Sequence, residues 1–291
     1  MRIAVFNQKG GVGKTTTTLN LGAAIARDGG SPLLLDLDPQ CHLSAIHGLA
    51  PTDSSHSLFG FYQDSRTLEE LTIPWEGIGR LIPSHQQLIK VDSIFGKGPA
   101  ILNKLRLGLE TLEGSSAASS MTLIDCCPYI GVLALNAIFA CDLLLIPVAT
   151  DYLSLQAAER MTQTLAILEP VLKRRVPRRY LLTRFDRRRR MSEDVQNRLR
   201  TLYGDEVCAT VIGENVSVAE SPAFNCDVFT HNTSSNGARD YAELRHELAS
   251  QGLVSPSDGG RANGSQSVKT AQTDTEIREN QRLEMRSTTS S

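Results

Sequence analysis

Two lysines, Lys9 and Lys14, stand close together in the stretch NQKGGVGKTTTT, which runs from Asn7 to Thr18. The apolar run Ile3-Ala4-Val5-Phe6 leads into it and reads as a buried strand. Behind it, Thr15 to Arg27 carries Leu19, Ala23 and Ala26 at helical spacing, and Asp28-Gly29-Gly30 stops that helix. A strand, then glycines, then Lys-Thr opening a helix is a cradle for phosphate, because backbone N–H groups and the helix N-terminus face the anion. Gly10, Gly11, Val12 and Gly13 would form the cradle, with Thr16 beside it. Lys14 would contact the β- and γ-phosphates, and the Thr15 hydroxyl would bind Mg²⁺. One feature is unusual. The common pattern G-x-x-x-x-G-K-[ST] places its first glycine where this chain has Gln8, and Lys9 follows at once.

Two further segments end in carboxylates. Leu33-Leu34-Leu35 is a second apolar strand, closing in Asp36-Leu37-Asp38-Pro39. Met121 to Ile124 is another, closing in Asp125-Cys126-Cys127-Pro128.

The string K-G-G-V-G-K-T-T resembles the deviant phosphate loop of the ParA/MinD family of ATPases. In that family an early lysine, here Lys9, reaches across a nucleotide-sandwiched dimer to the partner's phosphates, and the opening glycine is not required. Asp36-Leu37-Asp38-Pro39-Gln40 resembles the family's first switch, in which Asp38 would help activate the attacking water and stand near the metal. Leu123 to Pro128 resembles the Walker B strand and second switch, so Asp125 would hold Mg²⁺ through water. The resemblance thus implies Lys9, Lys14 and Asp38 as catalytic residues, ATP and Mg²⁺ as cofactors, and Thr15, Asp38 and Asp125 around the metal. Leu181-Leu182-Thr183-Arg184-Phe185-Asp186 resembles the base-side strand, which would place Arg184 and the loop near Asn215 beside the adenine. Asn136, Pro147 and Tyr152 to Leu155 also fall where family members have similar residues. Departures occur at Cys41-His42, where Gly-Asn is frequent, at Cys127 and Tyr129, and at Gly213-Glu214, where many ParA relatives carry Pro-Arg. That arginine is associated with DNA contact. The resemblance covers about 1–250 and looks like the short, Soj-like ParA type.

Lys173 to Arg190, KRRVPRRYLLTRFDRRRR, holds ten cations and one aspartate, a local charge of +9 in a chain of net charge −2. Such segregation is an electrostatic footprint for a polyanion. Arg174, Arg175, Arg178, Arg179, Arg187, Arg188, Arg189 and Arg190 are therefore candidate contacts to duplex DNA, made to its backbone without sequence preference. Pairing of these arginines with nearby acids is the competing reading.

Beyond these motifs, 291 residues are enough for one large α/β domain or two small ones, and 41% hydrophobic and 21% charged content suits a packed core. Strands expected at Arg80–Ile82, Leu143–Val148, Tyr180–Thr183 and Val207–Ile212 alternate with helices near 99–113, 131–140, 154–173, 192–203 and 237–250. This alternation predicts an α/β fold with a doubly wound, mostly parallel sheet over 1–254, and the resemblance implies that it is a P-loop NTPase of the MinD/ParA-like kind. Residues 255–291 are rich in Ser, Thr, Gly, Asn and Gln, and are expected to be a disordered tail. The six cysteines form no C-x-x-C pair, and Met1-Arg2 leads straight into a strand, so reduced thiols in a cytoplasmic protein are expected. The vicinal Cys126-Cys127 pair is expected to be structural, although an iron–sulfur carrier is a distant alternative.

The leading expectation is an ATPase that dimerises with ATP, binds DNA without sequence preference on the nucleoid, and positions a chromosome, plasmid or other cargo with a ParB-like or other stimulating partner. A MinD-like membrane role would need an amphipathic C-terminal helix, and the tail offers only Ile277, Leu283 and Met285. A nucleotide-gated scaffold with little turnover is the remaining alternative.

Overall fold

The computed structural model describes residues 1–48, 51–96, 98–115 and 121–254. The expected tail at 255–291 lies outside the described residues, as does 116–120 of the small-residue loop.

Eight strands form one sheet: β1 (Arg2–Val5), β2 (Leu33–Leu37), β3 (Ile73–Trp75), β4 (Gly79–Ile82), β5 (Thr122–Cys126), β6 (Leu143–Ala149), β7 (Arg178–Phe185) and β8 (Val207–Gly213). Their order is β3-β4-β2-β5-β1-β6-β7-β8. All neighbours are parallel except β3 and β4. The doubly wound, mostly parallel sheet expected from the alternation of elements is therefore present, with one short antiparallel strand added at an edge.

Period-two alternation divides the apolar residues between two cores. Ile3, Val5, Leu34, Leu123, Leu145 and Leu181 face helices Lys14–Arg27 and Asn236–Ser250. Ala4, Leu35, Ile124, Leu144, Ile146 and Leu182 face helices Lys104–Ser115, Val132–Ala140, Tyr152–Leu172 and Arg190–Tyr203. Burial on both faces explains why the central strands read as continuous hydrophobic runs. The expected helix near 99–113 is two helices, Pro99–Leu102 and Lys104–Ser115. Short helices at His42–His47, Leu58–Gln63 and Leu68–Leu71 fill the stretch before β3.

The parallel arrangement brings the carboxyl ends of β1, β2, β5, β6 and β7 to one edge of the sheet. These strand ends and the segments that follow them carry Lys9–Lys14, Asp36–Asp38, Asp125–Gly131, Asp151 and Asp186. In open α/β sheets this is where ligands bind.

Candidate nucleotide site

The loop between β1 and helix Lys14–Arg27 wraps a helix N-terminus that lacks any side-chain cap. Gly13 sits there at φ 87° and Gly11 at φ 74°, left-handed conformations that a side chain would disfavour. The uncapped N–H groups are left for an anion. The loop is braced from three sides. Asn7 Nδ2 donates to Pro147 O (2.7 Å), Thr183 Oγ1 donates to Val12 O (2.9 Å), and Lys9 N donates to Asn7 Oδ1 (3.0 Å).

Gln8 and Lys9 reach the same helix, Tyr152–Leu172. Gln8 Nε2 donates to Thr164 Oγ1 (3.1 Å). Lys9 Nζ lies on both Asp151 oxygens (2.6 and 2.8 Å) and on Ser154 Oγ (2.9 Å). Gln8 therefore ties the loop to a neighbouring helix, which a glycine could not do. Lys14 behaves differently. It is 7% exposed, and its Nζ donates to Lys9 O (2.9 Å) across the loop. Burial lowers its pKa, while Asp125 and Asp38 oppose that shift.

Across the loop stand three aspartates. Asp36 and Asp125 are direct neighbours on β2 and β5, and both are fully buried. Asp36 accepts from Ser44 N (2.8 Å) and Ser44 Oγ (2.6 Å), which fixes helix His42–His47. Burial raises its pKa to about 6 against those hydrogen bonds. Asp125 differs, because both its oxygens are buried without a hydrogen-bond partner. Burial pushes its carboxyl well above the usual carboxylate range and Asp36 adds to the push, while the nearby Thr15 hydroxyl, too poorly placed to complete a hydrogen bond, and then Lys14 work against it. Two orphaned buried oxygens of this kind call for a bound cation. With the Thr15 hydroxyl and Asp38 nearby, the donor set is all hard oxygen and fits Mg²⁺. Asp38 is 7% exposed and its Oδ1 accepts from Gln40 N (2.9 Å).

A cleft of about 590 Å³ opens on these groups, lined by Gly10, Lys14, Thr15, Asp38, Tyr129 and Pro222 among others. Gly11, Gly13 and Thr16 also line it, whereas Val12 is buried beneath and holds the loop to β7. A smaller hollow of about 270 Å³ beside Phe61 and Lys104 lies away from this chemistry.

Arg184 and Asn215, the residues expected beside the base, do not line this cleft, whose lining includes Pro222 and Asn225. Arg184 is exposed, at φ 52°. Asn215 instead caps helix Val216–Glu220 through its side chain, accepting from Val218 N.

The arginine run is also corrected. β7 runs through its middle and divides it. Lys173, Arg174, Arg175, Arg178 and Arg179 lie at the amino end of β7, and Arg184 and Arg187–Arg190 at its carboxyl end. Phe185 is seven residues beyond Arg178, about 23 Å along a strand. Arg178 is 5% exposed and paired with Glu169. Arg174 Nη2 caps helix Val132–Ala140 through Cys141 O (2.8 Å). Arg175 pairs with Glu206, and Arg179 Nε donates to Gln251 Oε1 (2.9 Å). At the other end, Arg188 and Arg189 share Asp186, and Glu214 lies 3.5 Å from both Arg184 and Arg189. The eight arginines thus form no single surface. Pairing with acids accounts for Arg178 outright, and only Arg187–Arg190 stay together at the carboxyl edge.

Cys126 and Cys127 are buried, and burial raises the Cys127 thiol to about 11. They are packing residues in this fold. Residue-pattern reasoning did not single out Asp36 with Ser44, Asp151 with Ser154, or Thr183. The D-x-D spacing carried a signal for Asp36, and the family-like stretches Tyr152 to Leu155 and Leu181 to Asp186 contained Ser154 and Thr183 without assigning either a role.

A family model described as an AAA domain matches residues 1–176. The chain is 34% identical over 251 residues to the chromosome-partitioning ATPase Soj of Thermus thermophilus, covering 85% of this chain and 94% of that one. It is 32% identical over 251 residues to the chromosome partitioning protein ParA of Caulobacter vibrioides, covering 86% and 94%. Cobyrinic acid a,c-diamide synthase from Mycobacterium smegmatis, solved with a bound ATP analog and magnesium, superposes with a TM-score of 0.73 at 25% identity, covering 86% of this chain and 95% of that one. The braced phosphate loop, the second lysine beside it and these likenesses agree: the chain belongs to the ParA/MinD family of P-loop ATPases.

Proposed function

We propose that this partition-family ATPase binds ATP with Mg²⁺ in the cleft, dimerises around the nucleotide, and uses that dimer to hold duplex DNA without sequence preference. The observation that carries the proposal is the position of Lys9. Its ammonium is parked on Asp151 and Ser154, outside its own phosphate cradle, while Lys14 fills the cradle from below. A lysine kept beside a phosphate site but not used by it can supply positive charge to the phosphates of a second copy. That is the role of an arginine finger.

Within one protomer, the loop N–H groups and the N-terminus of helix Lys14–Arg27 bind the phosphates. Lys14 desolvates poorly alone and gains from meeting an anion in that buried place. Asp38, fixed by Gln40 N–H, orients the attacking water. Thr15, Asp38 and Asp125 would hold Mg²⁺, which offsets charge on the phosphates when bound. Turnover is expected to be slow until a partner protein completes the site, as in other nucleotide-gated switches.

Arg187, Arg188, Arg189 and Arg190 supply the proposed DNA contacts, close to the same edge as the nucleotide. Dimerisation doubles the cations presented and so links DNA affinity to ATP. Binding of fluorescent duplexes of unrelated sequence should be tight with ATP and weak with ADP, and should weaken with salt. Equal binding in both nucleotides would refute the linkage.

A further inference from the structure

Helix Val132–Ala140 begins at Gly131, directly after the Asp125–Ile130 loop, and Gly131 has no side chain with which to cap it. The cap comes from elsewhere. Asp92 Oδ1 accepts from Val132 N. A Cβ built on Gly131 would fall on the Asp92 carboxylate, so the glycine leaves room for that acid. Asp92 stands on the short helix Val91–Phe95, whose Val91 is buried in the core.

The same stretch of chain also holds the other carboxylate loop. Ser84 Oγ donates to Asp38 O (2.6 Å), and Ser84 N donates to Ser44 Oγ (2.9 Å), the hydroxyl bound to Asp36. His85 Nδ1 accepts from Gln87 N (3.1 Å), which closes the turn between Ser84 and Asp92. Ser84 to Asp92 is therefore a strap. One end is fastened to the Asp36–Gln40 loop, and the other to the far end of the Asp125–Gly131 loop.

We infer that Asp92 is a positioning residue for ATP hydrolysis, acting through Gly131 and Val132 to fix where Pro128 and Tyr129 stand in the cleft. Both residues line the cleft, and Tyr129 is 72% exposed, with little packing of its own to hold it. The loop that carries them is anchored on one side by Asp125 at the end of β5. On the other side it is anchored by a carboxylate at a helix N-terminus, where anionic acceptors are favoured. Asp92 does not touch the nucleotide in this account. It sets the geometry reached during turnover and leaves the phosphate cradle intact. The inference rests on the reading of Asp125–Gly131 as a nucleotide-facing loop.

Steady-state ATP hydrolysis by the full chain tests it, with Asp92→Ala, Asp92→Asn, Gly131→Ala and the Asp92→Ala/Gly131→Ala pair compared at matched folded fraction by circular dichroism. Asp92→Ala should lower kcat by about fivefold, the rate equivalent of one lost helix cap, with KM for ATP within about twofold. Asp92→Asn keeps an acceptor oxygen and should restore most of the loss. Gly131→Ala should reproduce the defect by displacing the carboxylate, and should add nothing in the Asp92→Ala background. Wild-type kcat in Asp92→Ala, failure of Asn to rescue, or fully additive losses in the pair would each overturn the inference. Lys14→Ala is the separate control: hydrolysis undiminished in that variant would overturn the nucleotide site itself, independently of Asp92.

Discussion

Replacing Arg178 with Ala, and replacing Arg187, Arg188, Arg189 and Arg190 together with Ala, should damage two different properties of the protein. The Arg178 side chain is 6% exposed and Glu169 is 24% exposed, and Arg178 Nε also donates to Val176 O (3.1 Å). Removing one partner of a buried pair costs about 3–5 kcal/mol, and the partial exposure of Glu169 places this case near 3 kcal/mol. For a domain of this size that is a fall in Tm of roughly 6–12 °C. At the other end of β7, Arg188, Arg189 and Arg190 are 62–92% exposed where they pair, so solvent screens these pairs and they add little to stability. Their effect should appear in DNA binding. Each lost phosphate contact removes about 0.9 from the slope of log affinity against log salt. A dimer presents the four residues twice. Because Arg188 and Arg189 already share Asp186, the slope should flatten by about 4, with about 7 as the ceiling if all eight contact phosphate. Thermal melts followed by circular dichroism, and duplex binding titrated at several salt concentrations, separate the two outcomes. An unchanged Tm in Arg178→Ala, or a wild-type salt slope in the quadruple variant, would refute the division of the arginine run.

Lys14→Ala should reduce nucleotide affinity by at least about tenfold, since it removes the buried cation facing the phosphates, and calorimetric titration with ATP measures this directly. Asp38→Ala should slow hydrolysis while nucleotide binding persists, so the ATP-bound assembly accumulates on sizing columns. Asp151→Asn separates the two jobs of Asp151. Asn is as good an N-cap as Asp, so helix Tyr152–Leu172 and the Tm should be preserved while the ion pair to Lys9 is lost. That pair is half exposed and holds each Lys9 by about 0.5–1 kcal/mol, so a dimer that uses both lysines should tighten by roughly 5- to 30-fold in sedimentation with ATP.

The phosphate loop and its carboxylates were legible because each ends a continuous apolar run, and a parallel sheet buried on both faces makes such runs easy to find. The same logic located most central strands within two residues. It failed where local signals are short or contradictory. β3 contains Pro74, which argues against a strand, and it forms only as an edge partner of β4. Helices of four to six residues between His42 and Leu71 are too short to show a period. The charge of Lys173–Arg190 was counted as one patch although a strand was expected at Tyr180–Thr183 within it, because a charge count does not register how far that strand carries its two ends apart. Asp92 and Asp151 carry no motif at all. Their roles come from distant partners, Val132 and Lys9, that only the fold brings near.

Lys9, as a cation delivered to a second copy of the chain, is the residue on which ATP-driven dimerisation is proposed to turn. Light scattering of the wild type and of Lys9→Ala, each with Mg²⁺ and either ATP or ADP, tests it. The wild type should reach twice the chain mass with ATP and remain monomeric with ADP. Lys9→Ala should bind ATP yet remain monomeric in both. A Lys9→Ala protein that dimerises with ATP as the wild type does, or a wild type that stays monomeric with saturating ATP, would contradict the account.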